Sequence, residues 1–255
     1  MQNSNPEDRR EINLNQLAQN FMRGMQRHFD MLAFNLASRK RITEQDYQKM
    51  VHAVGLMPLA GQHQNFEQTQ AYARDLLHKQ LVNDALTLAI SILHNTHFFL
   101  AIVKCTEGNP EKAKEKQAVA EGMQKAFVEG PLDHKFNRLE DDYGIRCELE
   151  DTITSLGFCL QALAQNNGMV IKNYLDQVGE LRLELKSLGS GVQNPLSNQT
   201  SPKLVEYIKV FREGDYVSFN DKELQLILVT VATFADNLFK SISDYAKSMR
   251  SDGLN

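Results

Sequence analysis

Two histidines three residues apart, His94 and His97, lie in LTLAISILHNTHFFLAIVK, the most apolar run of the chain. On a helix, positions i and i+3 are neighbours, so two imidazoles at this spacing can share a metal ion. Zinc takes four protein ligands in a structural site and three, with one position open, in a catalytic one. A histidine pair leaves either set short. Asp84 lies nearly three helical turns before His94, and neither HExxH nor Glu-x-x-His occurs. His28, His52, His63, His78 and His134 are scattered without a shared spacing. The reading of His94 and His97 is therefore hydrogen bonding inside a helical core, helped by Asn95 and Thr96. They are kept as candidate metal ligands, with no metal expected.

Carboxylates concentrate in RLEDDYGIRCELED, which holds Glu140, Asp141, Asp142, Glu148, Glu150 and Asp151. Helical pyrophosphohydrolases hold magnesium with acids repeated at helical spacing on facing helices, since magnesium takes hard oxygen ligands. Here the acids bunch around a turn at Gly144, and the segment expected to face them offers only Glu180 and Glu184. Acidic residues ahead of a helix also complement its positive end without any metal. A solvated helix start is expected. Glu148, Glu150 and Asp151 are the candidate ligands if the chain is an acid-cluster metal-dependent hydrolase.

Arg23 and His28 share the Arg-x4-His spacing of helical ribonucleases of the HEPN class. On one continuous helix these side chains point about 140° apart and converge poorly. Later helices, where that class carries its motif, contain no match, so the spacing establishes no family resemblance. Arg23 and His28 remain the candidate catalytic pair of a ribonuclease reading. There is no Gly-x-Ser-x-Gly elbow, P-loop or dinucleotide fingerprint, and no cofactor is expected. Cys105, Cys147 and Cys159 form an odd set without CxxC spacing, which argues against a disulfide framework and a zinc knuckle. Cys105 and Cys159 are expected to fill core volume.

The elements that must position these residues read as helices. Leu14, Leu17, Phe21, Met25, Leu32 and Leu36 share one face of a first helix. Thr43 caps a second, with Glu44 and Asp46 in its first turn, ending near Gly55 before the turn GLMPLAG. A third starts around Phe66 and runs into the apolar stretch. Glu107-Gly108-Asn109-Pro110 stops it and starts a charged surface helix, which Gly130-Pro131 ends. Leu149, Ile153, Leu156, Leu160 and Leu163, then Ile171, Tyr174, Val178, Leu181, Leu185 and Leu188, step by three and four around Asn166-Asn167-Gly168. Two such stripes predict an antiparallel helical hairpin over 146–188. GSGVQNPLSNQTSP, 189–202, reads as a linker. Leu204–Phe211 is expected as a short helix and Tyr216–Phe219 as a brief extended piece. Asn220 and Glu223 start a long last helix.

No strand pattern long enough for a sheet is expected. The predicted fold is all-α: a multi-helix bundle (six to eight helices) containing that antiparallel helical hairpin. Residues 1–10 are expected as a disordered tail, 11–188 as the bundle, and 203–255 as C-terminal helices packing on it.

The apolar run has no Asp, Glu, Lys or Arg from Ala85 to Val103. As a helix it is about 28 Å long, close to the hydrocarbon thickness of a bilayer. Length permits a membrane span; angular distribution argues against one. Asp84, Thr87, Ser91, His94 and Asn95 fall within an arc of about 100°, a single polar stripe on an apolar cylinder. No second candidate span is expected to supply partners for that stripe in lipid. The run is read as a buried helix of a water-soluble bundle.

A net charge of −4 gives no reason to expect nucleic acid or anionic lipid as a partner. The cluster Arg39-Lys40-Arg41 is read as a solvated inter-helix turn rather than a phosphate patch. MQNSNPEDRREIN has no apolar stretch, so a cytoplasmic address is expected. The functional expectation is a non-enzymatic helical interaction or scaffolding module, using a protein partner or self-association through helical faces, with no membrane contact. The ribonuclease and the metal hydrolase are the enzymatic alternatives.

Overall fold

The computed structural model describes residues 13–54, 65–107, 109, 112–193 and 200–252. Among these are seven α-helices: α1 (Leu14–Arg39), α2 (Glu44–Val54), α3 (Phe66–Thr106), α4 (Ala113–Glu129), α5 (Leu132–Tyr143), α6 (Glu150–Gln165) and α7 (Asp221–Asp252). Strands β1 (Leu181–Gln193) and β2 (Thr200–Phe211) pair antiparallel in one small sheet. The fold is an all-α multi-helix bundle, with a helix count inside the expected range. The expected tail 1–10, the turn GLMPLAG, and Gly108 and Pro110 of the α3 stop lie outside the described residues.

Local chemistry accounts for the helix ends. Asp46 N–H donates to Thr43 Oγ1 at 3.3 Å while Thr43 N–H donates to Asp46 Oδ2 at 3.2 Å, a reciprocal cap on α2. Asn220 and Glu223 do the same for α7, at 2.9 and 2.8 Å. Gly144, at φ 66°, ends α5, and the N–H groups of Gly144 and Ile145 turn back to the carbonyls of Glu140 and Leu139.

The chain divides into two compact units, and α1, α3 and α7 contribute to both. The first unit takes Met1–Gly24, Leu88–Glu148 and Phe234–Asn255. Its core holds Leu93, Leu100, Phe127 and Leu139, with Phe136 meeting Phe234 edge-on at 6.1 Å and Phe21 meeting Phe239 at 6.5 Å. Gly24 lets α1 lie close to α3, since a Cβ there would stand 3.2 Å from Leu88 Cδ2.

The second unit takes Met25–Thr87 and Leu149–Thr233. Leu181, Leu183 and Leu185 of β1 are buried, as are Ile153, Leu156 and Cys159 of α6 and Leu224, Ile227, Leu228 and Val231 of α7.

The expectation that no strand pattern is long enough for a sheet is overturned by β1 and β2, and four others are corrected with it. The second arm of the predicted hairpin is not a helix. After α6 and the Asn167-Gly168 turn (φ 52° and 86°), the chain makes a bridge at Met169, a 3-10 turn at Lys172–Tyr174 and then β1. The deciding pattern is Leu181-Arg-Leu-Glu-Leu-Lys186, an alternation of period two that buries every second residue. The predicted linker 189–202 is largely strand, its described residues belonging to β1 and β2, and Leu204–Phe211 is strand rather than helix. Finally, α3 is joined by a second helix long and apolar enough to cross a membrane, Asp221–Met249 of α7. The exposed positions inside both apolar stretches are polar: Thr87, Ser91 and Asn95 on α3, and Gln225, Asp236 and Lys240 on α7.

Candidate functional site

In the first unit, α3, α4 and α5 bring His97 against Gln124, Phe127 and Tyr143. His97 is fully buried and stacks on Phe127, with ring centroids 3.8 Å apart. Gln124 Nε2 donates to the His94 carbonyl at 2.9 Å, so its Oε1 is the atom 2.7 Å from His97 Nδ1. An amide oxygen only accepts, so Nδ1 carries the proton and Nε2 is left to accept from Tyr143 Oη, at 3.4 Å. Burial holds His97 below its ordinary range and pushes the Tyr143 phenol up. A neutral imidazole with both nitrogens engaged is a packing element, and it offers no free lone pair to a metal.

His94 differs from the expectation that both rings bond within the bundle. Its ring meets Phe127 edge-on at 6.1 Å, and the buried Nε2 has no hydrogen-bond partner. Asn95 reaches only Ser91, and Thr96 bonds the backbone of its own helix. Sequence reasoning missed Lys135. This ammonium is buried at the end of α4, where it donates to the carbonyls of Phe127 (2.7 Å), Val128 (2.9 Å) and Gly130. It caps a helix C-terminus, where positive charge is favoured.

The other candidates do not converge on a reaction centre. Arg23 is exposed, and α1 is unbroken between it and His28, which keeps the two directions about 140° apart. His28 Nδ1 stands 3.6 Å from Asp84 Oδ2. Glu148 accepts from Asn237 Nδ2 at 2.6 Å, while Glu150 and Asp151 sit in the first turn of α6. Among the described residues no group of three or more His, Cys, Asp and Glu side chains is placed to hold a metal ion. The thiol of buried Cys159 is pushed up to about 12 by burial, far from a reactive thiolate.

The sheet is the feature with an unused bonding surface. On β1, Glu184 N–H donates to Thr152 Oγ1 at 3.3 Å and Lys186 N–H donates to Thr230 Oγ1 at 2.8 Å. Both hydroxyls come from buried residues on α6 and α7. These N–H groups point away from β2, so their register partners Ile208 and Glu206 are non-hydrogen-bonded positions whose own N–H and C=O groups face the opposite border. Leu204 and Val210 share that parity. Threonines therefore occupy two outward N–H groups on one border of the sheet, while among the described residues the other border is open.

No protein-family model, curated protein or solved structure matches this chain.

The open border also carries apolar surface. Leu204, Val205, Tyr207 and Ile208 are 45, 47, 38 and 47% exposed, although Tyr207 Oη donates to Glu223 Oε1 at 2.8 Å and Lys209 Nζ to Glu223 Oε2 at 2.7 Å. Those bonds fix β2 to the start of α7. Burial opposes the charge on Glu223 more than any other single influence, yet bonds from Lys209, Asn220 N–H and Tyr207 together hold its carboxyl below the usual range. The period-two alternation along β1 was the signal from which the sheet could have been found; β2 carries no such alternation.

Proposed function

We propose that the chain is a non-enzymatic interaction module that self-associates through the open border of β2. The observation that carries this reading is the contrast between the two borders: Thr152 and Thr230 occupy the outward N–H groups of Glu184 and Lys186 on β1, while among the described residues β2 keeps an unpaired row flanked by half-exposed apolar residues. An unpaired strand edge is a template for another strand. A second copy presents the same edge, and two-fold pairing centred on Tyr207 sets Leu204 against Val210 and Glu206 against Ile208. Centring on Glu206 would oppose two carboxylates and is disfavoured. Pro202, without an N–H, weakens pairing toward the Thr200 end.

The cytoplasmic address belongs to the same reading, supported by three free cysteines and by the polar exposed positions of both apolar helices.

Light scattering on the eluting peak of a sizing column tests the proposal. Dimers are expected at micromolar concentration, and Ile208→Lys, which sets an ammonium on the border, is expected to give monomers with an unchanged helical circular dichroism signal. A wild-type chain that stays monomeric up to about 100 μM would remove the proposal.

A further inference from the structure

A cleft of about 710 Å³ opens in the second unit between the end of α1, the first turns of α3 and the start of α7. Three cationic side chains line it: Arg39, Arg74 and Lys222. The lining acids are Glu67 and Asp221, and Asp221 is engaged by Arg39 Nη2 at 2.6 Å. Arg39 belongs to the cluster Arg39-Lys40-Arg41, read from sequence as a solvated turn. The structure separates its members: Lys40 and Arg41 are exposed, while Arg39 lines the cleft.

Two independent features give the cleft an unmet demand for hydrogen-bond acceptors. The first is the N-terminus of α7, a helix of 32 residues. Its capping pair serves the N–H groups of Asn220 and Glu223, and the first helical bond runs from Leu224 N–H to the Asn220 carbonyl, which leaves the N–H groups of Asp221 and Lys222 without acceptors. The second is Arg39 Nη1, which is covered by the protein and bonded to nothing. Behind the cleft wall, though not itself lining the cleft, lies His78, one turn beyond Arg74 on α3. It is 3% exposed, its Nε2 has no partner, and its ring packs edge-on against Phe219 of the cleft wall at 6.3 Å. Buried polar groups are nearly always satisfied, so unpaired ones beside a cavity point to something that enters it.

We infer that this cleft binds a small soluble phosphate monoester, its phosphoryl group held by Arg39, Arg74, Lys222 and the N-terminus of α7, and its organic part resting on Phe219. A dianion with three acceptor oxygens matches a guanidinium fork, a helix N-terminus and a point charge together. A carboxylate ligand would use fewer of these donors. The volume lies in the range of small-molecule pockets rather than of a single trapped ion. The inference is independent of strand pairing at β2.

Isothermal titration of the full chain with glycerol 3-phosphate, inorganic phosphate and acetate at matched ionic strength tests it. Saturable binding of glycerol 3-phosphate is expected, tighter than inorganic phosphate, with acetate weakest. Arg74→Ala and Lys222→Ala alter exposed side chains, and each is expected to weaken binding about tenfold while leaving the melting temperature unchanged. Absence of saturable binding at millimolar ligand overturns the inference. So does binding that neither substitution weakens, or binding seen only to vesicles containing phosphatidic acid.

Discussion

The imidazole of His97 lies flat on the ring of Phe127, with planes 9° from parallel. The same phenyl ring receives the Lys135 ammonium 5.3 Å from its centroid and the edge of His94. Phe127 is thus the shared surface on which two imidazoles and a buried cation are arranged. The three polar groups differ in how far their hydrogen bonds are met, and that difference ranks their contributions to stability.

Replacing His97 by alanine removes a stacked ring and leaves Gln124 Oε1 and Tyr143 Oη without their partner. A loss of about 3 kcal/mol is expected, combining a core cavity with unsatisfied polar atoms. His94→Ala removes a ring whose Nε2 is already unpartnered, and a cost under about 1.5 kcal/mol is expected. Urea denaturation of the two variants decides the order; a costlier His94→Ala contradicts the arrangement.

Lys135→Met keeps the aliphatic length and deletes the ammonium that three carbonyls share. The carbonyls at the end of α4 then stand unpaired, and a destabilisation of about 2–4 kcal/mol is expected. Arginine cannot rescue it, because a planar fork does not fit a site built for a compact cation. A variant as stable as the parent would show that solvent reaches those carbonyls.

Acid should weaken the fold before the carboxylates titrate. Burial is the main cause holding His78, His94 and His97 below their ordinary value of 6.5. The unfolded chain takes up protons as the pH falls through 6.5, and the folded chain resists. Stability is therefore fully present above that pH and declines below it. A lower urea midpoint at pH 5.5 than at pH 8 is expected, with a smaller difference in His97→Gln. Equal midpoints would mean that these rings titrate freely in the folded protein.

Thr230→Val keeps the shape of the side chain and withdraws the acceptor from the Lys186 N–H. About 1–2 kcal/mol is expected for the buried donor left behind, and Thr230→Ser should restore most of it. Amide hydrogen exchange at Lys186 provides the site-specific check: faster exchange in the valine variant and near-normal exchange in the serine variant.

The helical frame was legible where causes are local. Thr43 with Asp46 and Asn220 with Glu223 announce helix starts within four residues, and those starts came out as read. Gly144 reads from sequence only as a turn, and α5, the helix that it ends, is not anticipated by it. The sheet was hidden because leucines at 178–188 satisfy two periods at once. Steps of three and four pass through Leu181, Leu185 and Leu188, while steps of two pass through Leu181, Leu183 and Leu185. Burial follows the second. Three consecutive alternations followed by the glycines at 189 and 191 carry more information than a sparse heptad. The hydroxyl caps were beyond reach, since Thr152 and Thr230 lie 32 and 44 residues from the N–H groups they serve. Likewise, no local rule separates Arg39 from its neighbours Lys40 and Arg41; only the arrival of Asp221 does so.

Sealing one side of a two-stranded ribbon also decides how far any assembly can grow. If two copies zip together, each outermost lane is a β1 strand whose central N–H groups, at Glu184 and Lys186, already have threonine oxygens as partners. A third molecule then meets an interrupted template, and two hydroxyl groups work against the runaway stacking that naked ribbons invite.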